Sequence, residues 1–375
     1  MTGESKAFMD RMPQAFQNIR RKILSSERLT FEDGIELFRS TDILSIGALA
    51  QQARESMHGR RVFYASNLHL NYTNICTTRC EFCAFSRDAG APDAYALALE
   101  EIESRVREAV EQHGINEVHI VGGHNPALGL DYYVAMIERI RRVGPSLFIK
   151  AFSATEIEDL ARRSGLTVTA VLETLKRAGL DGLPGGGAEI FDPPMRQKIC
   201  PEKISGETWL EVHRTAHRLG LKSNATMLYG HGETDEARVA HLLKLRELQD
   251  ETRGFSAFVP LACIGSQAFL SSKSLKSGAD LFTSGYLDLK ILSISRLLLD
   301  NIPHIKIHWI ATGLKFAQAA LSFGADDLGG TNLGENVMRA AGSRSPRDLS
   351  SEDLVRCIRS AGFEPCFVDS SYQMS

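Results

Sequence analysis

Asn67-Leu68-His69-Leu70-Asn71-Tyr72-Thr73-Asn74-Ile75-Cys76-Thr77-Thr78-Arg79-Cys80-Glu81-Phe82-Cys83 reads as two things in succession. Polar and apolar residues first alternate with the period of two that marks a strand, with Asn67, His69, Asn71 and Thr73 on one face and Leu68, Leu70 and Tyr72 on the other. A C-x3-C-x2-C run follows, and three thiols this close together point to a metal site. Structural zinc takes four ligands and so does an ordinary iron–sulfur cluster, so the triplet leaves one position unfilled by its own loop. An open position suggests catalysis more than scaffolding. Zinc completed by His69, awkwardly placed on the strand, and a cluster completed by a distant cysteine are the alternatives.

The flanking chain decides which fold carries this strand. Taking Val62 to Ile75 as the first, strand-like runs recur at Glu117 to Gly122, Leu147 to Ser153, Gly182 to Ile190, Lys222 to Tyr229, Phe255 to Ala262, His304 to Ile310 and Ala325 to Leu328. Amphipathic helical runs fall between them at Ala94 to His113, Asp131 to Val143, Thr155 to Ala178, Ser205 to Leu219, Asp235 to Asp250, Leu287 to Asn301 and Gly313 to Phe323. Alternation of this kind predicts a parallel sheet, and eight strands predict an α/β fold of the (β/α)8 TIM-barrel type over residues 61–331. A helical N-terminal extension over residues 1–60 is expected from Phe8, Met12, Phe16, Ile19 and Ile23 at three- and four-residue steps, and a helical C-terminal extension over 332–375. Ser271 to Ser284 reads as a long loop after the sixth strand.

Parallel strands are covered on both faces, so the polar face of the first strand predicts a polar lumen near the C-terminal end of the barrel. The third strand carries Lys150, and the seventh puts Lys306 and His308 on one face. Cations facing a lumen suit an anionic, carboxylate-bearing substrate. A formal net charge of -3 gives no electrostatic reason to expect nucleic acid, so the partner is expected to be a small molecule. No stretch approaches about 20 apolar residues, and Met1 to Lys22 has no apolar central run. Neither a membrane span nor a secretory signal is expected, which makes the cytoplasm the expected location. Seven cysteines, with three clustered, do not resemble a disulfide framework; Cys200, Cys263, Cys357 and Cys366 read as buried or incidental thiols.

With its aromatic Phe82 and its place after the first strand of a barrel, the cysteine loop resembles that of the radical S-adenosylmethionine (radical SAM) enzymes. The resemblance implies a [4Fe-4S] cluster on Cys76, Cys80 and Cys83, with SAM chelating the fourth iron. It also implies a SAM-binding set of Phe82, Gly122, Gly123, Ser153, Glu189 and Thr226, with the glycine pair at the SAM amino group and Glu189 at the ribose. Asn71, Lys150, Asn224, Lys306 and His308 are expected on the substrate side. His231 and His69 are the acid–base candidates, since imidazole acts near pH 7. An electron donor such as flavodoxin or ferredoxin is expected.

Longer runs narrow the resemblance: His119 to Pro126, Lys150 to Glu156, Leu183 to Phe191, Lys198 to Ser205 and Ser223 to His231. They look like the aminodeoxyfutalosine synthases of the futalosine route to menaquinone. Cyclic dehypoxanthine futalosine synthases and deazaflavin-forming synthases share the layout. The resemblance implies a transferase that adds the 5'-deoxyadenosyl radical to 3-[(1-carboxyvinyl)oxy]benzoate and forms 6-amino-6-deoxyfutalosine, with bicarbonate and methionine released. A non-catalytic metal-binding protein is the alternative from another class. One segment departs from the pattern: after Phe258 to Ala262 the chain has Cys263-Ile-Gly-Ser-Gln267 and the serine-rich loop, where an aromatic and a Pro-x-Asn-like stretch are expected.

Overall fold

The structure, a computed structural model, describes residues 14–264 and 283–373. Phe8, Met12 and the serine-rich loop up to residue 282 lie outside these residues. Three helices come first: α1 (Gln14–Leu24), α2 (Phe31–Arg39) and α3 (Ile43–His58). Thr30 and Asp33 cap one another's backbone to start α2, and Asp42 accepts from Ser45 N to start α3. The strand–helix alternation follows: β1 (Arg61–Ala65), β2 (Asn67–Leu70), α4 (Leu99–His113), β3 (Glu117–Ile120), α5 (Leu130–Val143), β4 (Phe148–Ala151), α6 (Ala154–Ser164), α7 (Val168–Ala178), β5 (Gly182–Leu183), α8 (Pro193–Ile199), α9 (Gly206–Arg218), β6 (Lys222–Tyr229), α10 (Asp235–Thr252), β7 (Phe255–Ala262), α11 (Gly285–Leu298) and β8 (His304–Ile305). The chain ends with α12 (Trp309–Thr312), α13 (Leu314–Ala320), β9 (Asp327–Gly330), α14 (Val337–Ala340), α15 (Ser351–Ser360) and β10 (Glu364–Phe367).

Strands β2 to β8 form one seven-stranded parallel sheet in sequence order, and β10, β1 and β9 form a second, three-stranded one. The two are joined at both edges of the larger sheet. Ile307 N donates to Asp327 O (2.8 Å) across the β8 edge. On the other side Leu333 N donates to Asn67 O (3.1 Å), and His69 N to Leu333 O (2.7 Å). The segment starting at β9 thus fills the eighth position, and the (β/α)8 arrangement is the fold. Its core lies between strands and helices, where Val118, Ile120, Ile137, Ile140, Ile149, Leu160 and Leu172 are buried. Among the described residues no helix is long and apolar enough to cross a membrane.

Several boundaries differ from expectation. The first strand divides at Ser66, because Arg61–Ala65 pairs with β9 and β10 while Asn67–Leu70 pairs with β3. The fifth shrinks to two residues where Pro184-Gly-Gly-Gly interrupts the ladder. The helix expected over Thr155 to Ala178 is two, since Gly165 (φ 65°) ends α6 and Thr167 caps α7. The seventh strand gives way at Trp309 to a helical turn, the indole donating to Gly330 O (2.9 Å). The C-terminal extension is mixed, not helical, because β10 adds in parallel to β1.

Candidate active site

Cys76, Cys80 and Cys83 line a cavity of about 360 Å³ at the C-terminal ends of the strands. Their loop is pinned from two sides. His124 N donates to Cys76 Sγ (3.3 Å), and Thr77 N donates to His124 O (3.1 Å). Opposite, Arg79 N donates to Glu202 Oε2 (2.5 Å) and Glu81 N to Ile199 O (2.9 Å), so the end of α8 and the run after it strap the loop in place. Burial pushes the Cys80 thiol up to about 12, against the pull of the Lys203 ammonium. A single ion held by Zn–S bonds of about 2.3 Å would draw its sulfurs to within about 4 Å of one another. Among the described residues the one set of metal-ligating atoms gathered within 4.8 Å is that of His58, His304 and Asp326. The three cysteine sulfurs are not all within 4.8 Å of one another, wider than a single tetrahedral ion would hold them.

Beside the loop, Gly122 and Gly123 are required by close approach. A Cβ on Gly122 would lie 2.6 Å from the Tyr72 ring, and one on Gly123 would lie 2.2 Å from Ile75 O. One buried carboxylate, not anticipated from sequence, organises this side. Glu156 accepts from Tyr72 Oη (2.8 Å) and Gly122 N (3.1 Å) through Oε1, and from Ser153 N (2.8 Å) and Ser153 Oγ (2.6 Å) through Oε2. It thereby joins the end of β2, the glycine turn after β3 and the corner after β4. Phe152, in that corner, holds φ at 61°, and Glu189 holds φ at 46°; left-handed backbone at non-glycine residues is costly and tends to collect at functional sites. Glu189 pairs with Lys203 Nζ (2.5 Å), whose ammonium lies 5.3 Å from the Phe82 ring centroid. Thr226 donates its hydroxyl to Gly185 O (2.5 Å) and fixes the glycine-rich turn. Phe82, Gly122, Gly123, Ser153, Glu189 and Thr226 all line the one cavity.

Deeper in the lumen, His69, His119 and Lys150 stand side by side across β2, β3 and β4. The two imidazoles stack with centroids 4.6 Å apart. Burial lowers His69 to about 3, His308 to about 4 and His119 well below its ordinary value, so all three rings are neutral near pH 7. The expected cationic lumen is a paired one: Lys150 Nζ donates to Glu117 Oε1 (2.7 Å), and Lys306 Nζ sits 3.2 Å from Asp327 Oδ2. Burial alone would raise the Glu117 carboxyl, but the Lys150 and Lys306 ammoniums hold it down at about 2. Asn71 lines the cavity with its amide committed, Nδ2 to Val121 O (3.1 Å) and Oδ1 from Asn336 N (3.1 Å). Of the buried side-chain atoms without a hydrogen-bond partner among the described residues, three are on residues that line the cavity: His308 Nδ1, Asn224 Oδ1 and Glu335 Oε2.

One candidate is corrected. His231 lies outside the cavity lining, its Nε2 3.0 Å from Leu228 O and its Nδ1 3.3 Å from the Glu233 carboxylate. That carboxylate also takes Gly230 N (2.8 Å) and ion-pairs with Arg238 (2.6 Å), so the imidazole belongs to a structural turn. Sequence reasoning gave no role to His119, His124, Glu156, Lys203 and Glu335, which also line the cavity. The Ser153-x-x-Glu156 spacing of a capping box was the one local signal among them.

The profile of the Radical SAM superfamily matches residues 70–245, and that of the CofH/MqnC C-terminal region matches residues 252–375. The chain is 41% identical to the aminodeoxyfutalosine synthase of Thermus thermophilus, over 95% of this chain and 94% of that one. This chain belongs to the radical SAM superfamily. It is also 39% identical to the 5-amino-6-(D-ribitylamino)uracil–L-tyrosine 4-hydroxyphenyl transferase of Methanopyrus kandleri, over 84% of this chain and 85% of that one. Methylornithine synthase, 18% identical, shares the fold with a TM-score of 0.74 over 94% of this chain and 98% of its own. The protein is a radical SAM enzyme acting on a small molecule, and its family uses a [4Fe-4S] cluster and SAM. The residues present fit that pair, with three cysteine sulfurs on one loop at the cavity, one accepting a backbone N–H, and a lined cavity leading inward.

Proposed function

We propose that this enzyme joins the 5'-deoxyadenosyl group of SAM to the enol-ether double bond of 3-[(1-carboxyvinyl)oxy]benzoate, consuming a water and giving 6-amino-6-deoxyfutalosine, bicarbonate and methionine. The observation that carries the reading is the 41% identity to an aminodeoxyfutalosine synthase along nearly the whole length of both chains. Cys76, Cys80 and Cys83 would hold the cluster, which when bound supplies the electron that splits SAM into methionine and the adenosyl radical. Gly122, Gly123 and Ser153, locked together by Glu156, would seat the methionine end, while Glu189, Phe82 and Thr226 would seat the nucleoside. Lys150, Lys306, Asn224 and His308 would face the two carboxylates of the second substrate. The partnerless Nδ1 of His308 and Oδ1 of Asn224 are left to be satisfied by a ligand. Neutral near pH 7, His69 is suited to hydrogen-bond the substrate without adding charge. Flavodoxin or ferredoxin would supply the electron.

The hydroxyphenyl transferase at 39% identity favours a second reading, in which the same scaffold serves deazaflavin formation. Anaerobic incubation with SAM, dithionite and the enol ether, followed by mass spectrometry, separates the two. A product retaining the adenosyl group is expected. Free 5'-deoxyadenosine as the main product, or turnover only with tyrosine and the aminouracil, would overturn the addition reaction.

A further inference from the structure

The last residues of the chain return to the barrel and enter it from the N-terminal ends of the strands. After β10, Val368 N donates to Tyr64 O (2.9 Å). Ser370, 4% exposed, then reaches the lumen: its N donates to Glu117 Oε2 (2.9 Å), and its Oγ accepts from Lys150 Nζ (2.7 Å). Tyr372 follows with φ at 56° and stacks on His304 at 3.6 Å and 6°. Its hydroxyl donates to Asp327 Oδ2, and its ring lies 5.7 Å from Lys306 Nζ. Two of the lysines that line the cavity, Lys150 and Lys306, are therefore gripped from behind, with their acids, by the same six-residue tail.

We propose that residues 368–373 form a floor beneath the substrate cavity, one layer behind the residues that line it, with Ser370 and Tyr372 as positioning residues that hold Lys150 and Lys306 in the orientation that meets the carboxylates of SAM's reaction partner. This rests on the reading of those lysines given under Proposed function. An ammonium that is fixed before the ligand arrives binds more tightly than one that must be ordered on binding. Removing the Ser370 hydroxyl leaves Lys150 with Glu117 as its one anchor. Removing the Tyr372 hydroxyl leaves Asp327 free to draw Lys306 away from the cavity. Among the described residues, the tail's hydrogen bonds to the barrel go to Tyr64, Glu117, Lys150 and Asp327, none of them on the SAM side.

The test uses the reconstituted holoenzyme with Ser370→Ala, Ser370→Thr and Tyr372→Phe. KM is measured for the enol ether and for SAM, and calorimetry measures the affinity of isophthalate, a plain aromatic dicarboxylate. Ser370→Ala and Tyr372→Phe are expected to raise the enol-ether KM and weaken isophthalate about tenfold, with the SAM KM within twofold of wild type and Ser370→Thr restoring affinity. Unchanged constants with a lowered Tm would reduce the tail to a stabilising strap and overturn the proposal. Wild-type enzyme that binds isophthalate, loses it in Ser370→Ala, yet leaves the enol ether unturned would uphold the floor and sink the assigned reaction. Wild-type enzyme that binds neither carboxylate would overturn the floor as well.

Discussion

At the N-terminal ends of the strands, Asp326 gathers the polar groups around it. Arg296 and Ile305 N (2.8 Å) donate to its Oδ1, His304 Nδ1 donates to its Oδ2 (2.6 Å), and His58 Nε2 lies 3.5 Å from Oδ2. At the C-terminal ends the cavity leaves His308 Nδ1, Asn224 Oδ1 and Glu335 Oε2 without partners. A satisfied buried network rigidifies a fold, whereas an unsatisfied polar group costs stability that a ligand can recover. Around these groups the two ends of one barrel divide the work: the Asp326 network below closes the ring, and the cavity above keeps hydrogen-bonding capacity for a substrate.

The sharpest separation comes from Cys80→Ala, which should abolish SAM cleavage while leaving the circular dichroism spectrum of the barrel intact, because the cysteine is on a loop and the core is elsewhere. Global unfolding of that variant would erase the distinction between the two ends. Asp326→Ala is the converse. It strands the buried Arg296 guanidinium and should cost about 3–5 kcal/mol in denaturant unfolding, with little change in turnover by the molecules that remain folded. Burial would raise the Asp326 carboxyl, but Arg296 and His304 hold it at about 2, below the ordinary 3.8. The unfolded chain thus binds the proton first. The stability from this group is full above pH 4 and is lost as pH falls from about 4 to about 2, a loss that Asp326→Ala should remove.

Two smaller effects refine the picture of the upper end. Glu156→Gln keeps the shape but replaces one of the two accepting oxygens by N–H₂, so that either Ser153 N or Gly122 N loses its acceptor, and should raise the KM for SAM about tenfold while leaving that of the second substrate alone. Equal rises in both constants would show that Glu156 shapes the barrel as a whole. His308→Leu removes a neutral ring whose Nδ1 has no partner, and its unfolding free energy should stay within about 1 kcal/mol of wild type while affinity for the second substrate falls. A large loss of stability would mean that His308 belongs to the scaffold.

Local patterns carried the parts of the structure that local physics decides. Strand alternation, cysteine spacing and helix caps involve neighbours a few residues apart, so the order of β2 to β8 and the rim position of the loop were legible. The single long strand over Val62 to Ile75 was not divided correctly, because the change of pairing partner at Ser66 depends on residues near 327 and 364. His231 was misread for a related reason. A histidine in a Gly-His-Gly turn looks the same in sequence whether it faces a cavity or, as here, a buried glutamate.

By itself the sequence determined the family, the metal-binding loop and the parallel alternation, since each is written in short-range spacing and residue type. The tertiary structure alone decided what the buried charges do. Lys150 meets Glu117 across 33 positions and Ser370 across 220, and Glu156 reaches Tyr72 across 84. No local pattern encodes such pairings: a lysine on a strand is equally ready to bind a substrate carboxylate or one of the chain's own, and only closure of the barrel brings the partner that settles its charge.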